Sequence, residues 1–89
     1  MMAAPISPEH RALGRAVREL RVRRGLSQEQ LGMASEIHRN YVGAIERGEI
    51  NPTFRVLLKL ERGLDLSLSR LLEVYERNVE EMTDQRGAT

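Results

Sequence analysis

The feature that most constrains the fold of this 89-residue chain is a pair of short amphipathic segments with very little chain between them. Ser27 and Gln30 have the spacing of a helix-capping box, and a helix stop follows at Gly48. Between these points the apolar side chains recur at helical and not at alternating spacing: Leu31, Ile37, Val42 and Ile45. The two segments are therefore predicted to cross and to share one core.

Gly32 lies inside the first of the two segments. A glycine inside a helix costs about 1 kcal/mol relative to alanine. We therefore expect a packing reason for it, because a residue without a side chain lets a second helix cross closely.

The rest of the chain also has the pattern of helices. The predicted helices cover approximately residues 9–24, 28–35, 38–47, 54–62 and 68–82. No segment alternates with the period of a strand, so the predicted fold is all-α, compact and built from five helices. Residues 1–7 are predicted to form a disordered arm, residues 8–83 one domain and residues 84–89 a disordered tail.

Composition excludes several classes of function. The chain has no Cys, which excludes disulfides and cysteine-ligated zinc sites. His10 and His38 have no partner at metal-ligand spacing, and no nucleophile–base pair or phosphate-binding loop is present. We therefore expect no metal, no cofactor and no enzymatic activity. Without a long apolar run, neither a membrane span nor a signal peptide is expected, and the predicted location is the cytoplasm.

Charge is unevenly distributed, although the net charge is only +1. Residues 1–48 carry eight Arg and five Glu, a net charge of +3, whereas residues 49–89 carry six Lys or Arg and eight Asp or Glu, a net charge of −2. The basic half contains the paired segments. The side of the second segment that stays outside the core is polar, basic at both ends and small in the middle: His38, Arg39, Asn40, Gly43, Ala44 and Arg47.

The stretch GLSQEQLGMASEIHRNYVGAIERGEINPTFRVLLKLERGLDLSLSRLL resembles the Cro/repressor-type, or XRE-type, helix-turn-helix family of bacterial and phage transcription regulators. The resemblance covers approximately residues 13–72, and its most specific parts are LSQEQLG, YVGAIERGEINPT and LDLSLSRLL. It implies a compact five-helix domain whose third helix enters a groove of double-stranded DNA.

Arg39 and Asn40 are the first candidates for base contacts. Arg pairs bidentately with guanine and Asn with adenine, and each such contact discriminates by about 1–3 kcal/mol. Ala44, one turn later, would touch a thymine methyl group. Phosphate contacts, which position a protein and carry no sequence information, are expected from Gln28, His38, Tyr41, Arg47, Asn51 and Thr53. The resemblance also implies that the first of these six braces the recognition helix.

The resemblance further implies an ion pair between Arg21 and Glu46, which ties the first helix to the end of the third. Three positions depart from the family pattern. Glu36 and Asp65 stand in turns where Gly is frequent and where positive φ strains other residues. Glu61 replaces a small apolar residue and is expected to be exposed or paired with an Arg.

An apolar stripe runs along the fifth predicted helix, beyond the length that a small domain covers. We expect its first part to close the core and the rest to form a homodimer interface. The predicted interface residues are Leu71, Leu72, Tyr75, Val79 and Met82. A dimer would present two recognition helices about one DNA turn apart.

The predicted function is that of a sequence-specific transcription regulator that binds a two-half-site operator as a homodimer. The size of the chain is similar to that of the controller proteins of restriction–modification operons and of compact phage-type repressors. The alternative is an antitoxin or another protein-interaction module, whose long last helix binds an unknown protein partner. A neighbouring restriction or methyltransferase gene would favour the first function, and a neighbouring toxin gene the second.

Overall fold

The computed structural model describes residues 4–87, with side chains described for residues 4–83. This part of the chain forms five α-helices: α1 (Pro8–Arg23), α2 (Gln28–Ser35), α3 (Arg39–Glu46), α4 (Phe54–Leu64) and α5 (Leu68–Gly87). No strand occurs within residues 4–87. The predicted all-α, five-helix fold is confirmed. None of the helices described has both the length and the apolar character that a membrane span needs.

All five helices begin where a nearby side chain accepts a hydrogen bond from the first turn. The caps are Ser7 for α1, Ser27 for α2, His38 for α3, Thr53 for α4 and Ser67 for α5. In α2 the predicted capping box is complete: Ser27 Oγ accepts from the Gln30 N–H at 3.0 Å, and Gln30 Oε1 accepts from the Ser27 N–H at 2.8 Å. All these contacts are local in sequence, and this locality makes the helix starts predictable.

The start of α5 is also capped from another helix. Glu61 in α4 accepts a hydrogen bond through Oε2 from the Leu68 backbone N–H at 2.7 Å. Its carboxylate satisfies one of the N–H groups that a helix start leaves unpaired, and it lies at the positive end of the helix dipole. The expectation that Glu61 is exposed or paired with an Arg is therefore wrong.

The helices α2 and α4 both end at a non-glycine residue in the left-handed conformation. Glu36 has φ 58° and ψ 43°, and Asp65 has φ 53° and ψ 48°. A Cβ atom makes this conformation unfavourable. Glu36 and Asp65 thus keep the geometry expected of Gly at these turns, at a cost in stability.

The core is built from aliphatic side chains of all five helices. The largest fully buried side chains are Leu31, Ile45, Leu60, Leu64, Leu71, Val17, Val42 and Val74. Because α2 and α3 both contribute to this set, the two short helices share one core, as their apolar pattern predicts.

Two glycines allow helices to approach α3 closely. A Cβ at Gly32 in α2 would press on backbone atoms immediately before and at the start of α3, so the predicted packing role of Gly32 is confirmed. A Cβ at Gly14 in α1 would overlap the carbonyl groups of Ile45 and Glu46. Close backbone packing therefore fixes α3 near both of its ends.

The face with which α5 packs along α1 differs from the predicted one. Leu71 is 0% exposed and lies in the core with Val74. The buried Asn78 side chain donates from Nδ2 to the Ala12 carbonyl at 3.1 Å. Leu71 has no surface to offer a second molecule, and its assignment to a dimer interface is corrected to a core position.

The ends of the folded part differ from the predicted domain limits. The Ile6 N–H donates to the Gly48 carbonyl at 2.8 Å, so this residue of the predicted arm is bonded to the domain. The helix α5 extends to Gly87, past residue 83, because the residues before that glycine include no helix breaker. Residues 1–3 and 88–89, also in the predicted arm and tail, lie outside the described residues.

Candidate nucleic-acid interface

One side of α3 is exposed and carries the three residues predicted to contact bases. Arg39 and Asn40 are exposed, and Ala44 is half-buried one turn later. The opposite side is covered, because Val42 and Ile45 belong to the core. The three predicted residues therefore share one surface.

A depression between α2 and α3 adjoins this surface. It is lined by Gln28, Arg39, Asn40, Gly43 and Arg47. Two guanidinium groups and two amides supply many hydrogen-bond donors and a positive charge, and no apolar side chain intervenes. This lining suits an anionic ligand with hydrogen-bond acceptors, such as a nucleic acid.

Glu46, in the last turn of α3, connects this helix to its neighbours through buried hydrogen bonds. Its side chain is 4% exposed. Oε2 accepts from Arg21 Nε at 2.6 Å, and Oε1 accepts from Arg21 Nη2 at 3.1 Å and from Gln28 Nε2 at 3.0 Å. The predicted Arg21–Glu46 ion pair is present, and it extends to a residue of α2. One carboxylate thus ties α1, α2 and α3 together.

Gly43 leaves room for two long side chains. A Cβ at this position would lie 3.0 Å from Arg47 Nη1 and 3.5 Å from Gln28 Oε1. Gln28 therefore lies against α3, and the contact that braces this helix is present. The same residue is the first of α2, where unpaired backbone N–H groups favour an anion.

His38 and Thr53 both cap helices. His38 Nδ1 accepts from the Asn40 N–H at 3.0 Å, and Thr53 Oγ1 accepts from the Val56 N–H at 3.2 Å. Because Nδ1 acts as an acceptor, the neutral imidazole of His38 carries its proton on Nε2. An imidazole N–H and a hydroxyl proton therefore remain as donors for another partner.

Asn51 is held by the start of α1. Its Oδ1 lies 3.1 Å from His10 Nε2, and His10 Nδ1 lies 2.6 Å from Ser7 Oγ. An amide oxygen only accepts, so His10 Nε2 carries a proton, and in the neutral imidazole Nδ1 accepts from the Ser7 hydroxyl. The Nδ2 group of Asn51 remains as a donor.

Tyr41 and Arg47 lie in different environments. Tyr41 is half-buried and packs against the core. Arg47 is exposed, and its Nε donates to Glu49 Oε2 at 2.9 Å. This hydrogen bond raises the pKa of the Arg47 guanidinium above its ordinary value. Arg47 is therefore charged at any pH at which the protein would meet DNA.

Sequence reasoning missed one contact at this interface. Arg39 Nη1 lies 3.3 Å from Glu29 Oε2, in the first turn of α2. Ten positions separate the two residues, so no helical spacing indicates the pair. The crossing of α2 and α3 brings them together, and the only sequence signal is their opposite charge.

Exposed apolar side chains also lie on α4 and α5. Phe54 is 65% exposed, and Leu58, one turn later, is also exposed. Leu72 in α5 is 38% exposed and lines a depression together with Tyr75 and Leu57. We call Phe54, Leu58, Leu72 and Tyr75 the apolar face.

Of the five predicted dimer residues, two lie on the apolar face, Leu71 lies in the core, and two lie elsewhere. Val79 and Met82 are half-buried and line a small cleft with Pro8 and Glu9 at the start of α1. Their apolar surface is thus partly used within the protomer.

The chain matches the helix-turn-helix family over residues 17–71, which is more than half of its length. It is 43% identical over 60 residues to the control protein C.SmaI of Serratia marcescens, covering 67% of this chain and 71% of that protein. It is 36% identical over 62 residues to the uncharacterised HTH-type transcriptional regulator YgzD of Bacillus subtilis strain 168, covering 70% of this chain and 94% of that protein.

A similar solved structure is that of the restriction-modification controller protein C.AhdI from Aeromonas hydrophila. It superposes with a TM-score of 0.72 at 40% identity, over 73% of this chain and 98% of that chain. The family match, the sequence relatives and the shared fold agree with one another: the chain belongs to the XRE-type helix-turn-helix family of DNA-binding transcription regulators.

Proposed function

We propose that the protein is a sequence-specific regulator that reads duplex DNA with α3. Arg39 and Asn40 contact base edges in the major groove, and Ala44 contacts a thymine methyl group. The observation that carries the proposal is the exposed basic side of a helix fixed from inside by the Arg21–Glu46 ion pair. Base readout needs such a rigid support, because a hydrogen-bond donor that is not held in position discriminates less between one base and another.

The phosphate backbone is contacted by groups around this surface. Arg47 contributes a positive charge. A hydrogen-bond donor that is not used within the protein is contributed by each of three further residues: His38, Asn51 and Thr53. Gln28 contributes the N-terminus of α2, and Tyr41 its hydroxyl group. These contacts set the register of the protein on the duplex.

A homodimer is proposed as the active form, with the apolar face covered by a second copy. Large apolar side chains that remain exposed on a small domain mark an interface. The two-fold axis of such a dimer presents two α3 helices to two half-sites of an operator.

The similarity to C.SmaI and C.AhdI supports a role as a controller of a restriction–modification system. The apolar face also leaves a place for a different protein, as an antitoxin would need. A restriction or methyltransferase gene beside this one supports the controller role, whereas a toxin gene supports the antitoxin role.

The proposed function is tested by selecting bound sequences from random duplex DNA with the full chain, across several salt concentrations. We expect a motif with two related half-sites, lost when Arg39→Ala is used and kept when Arg70→Ala is used. Arg70 is an exposed arginine on α5 that does not line the depression beside α3, and it serves as the matched control. If the wild-type chain enriches no motif, the proposal is wrong.

A further inference from the structure

Glu29 lies next to the arginine that is proposed to read bases. The ion pair joins the first turn of α2 to the first residue of α3, with both side chains 62% exposed. Exposed ion pairs contribute little to folding stability. The Glu29–Arg39 pair therefore matters more to the proposed DNA surface than to the stability of the fold.

The pair leaves Arg39 able to bind a base. A guanidinium has five N–H donors, and Glu29 contacts Nη1 only. Donors on Nη2 and Nε remain for the two acceptors that guanine presents in the major groove. A carboxylate on one edge also restricts the rotation of a long side chain that is otherwise free in solvent, and less entropy is then lost on binding.

The charge of Glu29 acts differently on the two kinds of DNA contact. A phosphate that approaches Arg39 also approaches the Glu29 carboxylate, and two negative charges repel each other. A guanine edge carries no net charge, so its acceptors meet a much weaker repulsion. The pair therefore weakens the attraction of Arg39 to the phosphate backbone, which supplies non-specific binding.

We propose that Glu29 is a positioning residue that determines specificity, directing Arg39 to base edges and away from phosphates. This inference rests on the proposed function, because it assumes that α3 reads DNA. Glu29 is an acidic residue in a basic surface. Attraction to DNA does not explain an acid at this position, whereas a role in specificity does.

The test compares Glu29→Gln with Glu36→Gln, using the selected duplex and a scrambled duplex of equal length. Both substitutions remove one negative charge from α2 or its end, but Glu36 forms no ion pair within residues 4–83. For Glu29→Gln we expect tighter binding to scrambled DNA and a selected-to-scrambled affinity ratio about fivefold lower. For scrambled DNA, the slope of the logarithm of the binding constant against the logarithm of the salt concentration should become steeper by about one per protomer. Glu36→Gln should leave the ratio within twofold of wild type.

A double-substitution cycle distinguishes an effect of Glu29 that acts through Arg39 from a general effect of removing a negative charge. In an Arg39→Ala background, Glu29→Gln should no longer change the affinity ratio. An unchanged ratio in Glu29→Gln, or an equal loss of ratio with and without Arg39, overturns the inference. Failure of the proposed function is distinguishable, because wild type would then bind both duplexes equally or Arg39→Ala would keep the full preference.

Discussion

At the scale of single residues, Glu46 determines where α3 lies. Its carboxylate is almost fully buried and accepts three hydrogen bonds, two from Arg21 and one from Gln28. A buried charge is tolerated only with partners, and removing one partner costs far more than replacing the whole pair by apolar groups. The same contacts that stabilise the fold therefore also hold the candidate reading surface in place.

Arg21→Ala should lower the free energy of unfolding by about 3–5 kcal/mol, because it leaves the Glu46 carboxylate buried without its cation. The double variant Arg21→Met/Glu46→Leu removes both charges at similar volume and should lose much less. Thermal and denaturant unfolding of the wild-type chain and both variants measure this difference. Equal melting temperatures for wild type and Arg21→Ala would show that the pair does not support the fold.

At the scale of the helical elements, the turn between α2 and α3 is strained. Glu36 adopts the left-handed backbone conformation at the end of α2. Arg24, at the end of α1, adopts the right-handed helical conformation, with φ −79°. Glu36→Gly should raise the free energy of unfolding by about 1 kcal/mol, because Gly adopts positive φ without a Cβ clash. Arg24→Gly, the matched control, should lower it. Denaturant unfolding measures both; a loss of stability in Glu36→Gly would mean that the turn carries no such strain.

Particular helices show how much of the fold the sequence predicts. The starts of α1, α2 and α4 follow from capping residues within three positions of each cap, so they are readable locally. In α5 two apolar stripes compete, one through Leu71 and Val74 and one through Leu72 and Tyr75. The packing of α1 decides between them, and periodicity alone does not. The cap that Glu61 provides and the Glu29–Arg39 pair also depend on helix crossings.

At the scale of the whole molecule, the proposed homodimer depends on the apolar face. Leu72→Glu should weaken the proposed self-association at least about tenfold in Kd, because it places a charge in the proposed interface. Val22 is an exposed apolar residue on α1, outside the apolar face, and Val22→Glu should leave association unchanged. Sedimentation equilibrium at tens of micromolar measures both. A monomeric wild-type chain at that concentration would refute the dimer and direct attention to a different protein partner.

The reading of bases by α3 is tested most directly by the Kd of wild type and Arg39→Ala for duplexes in which each base pair of a selected half-site is replaced in turn. For wild type we predict one guanine whose replacement weakens binding by about 5- to 150-fold, as a bidentate arginine contact implies. In Arg39→Ala this penalty should vanish, while penalties at the other positions remain. If Arg39→Ala weakens every duplex equally and keeps the guanine penalty, Arg39 contacts only the backbone and the proposed readout is wrong.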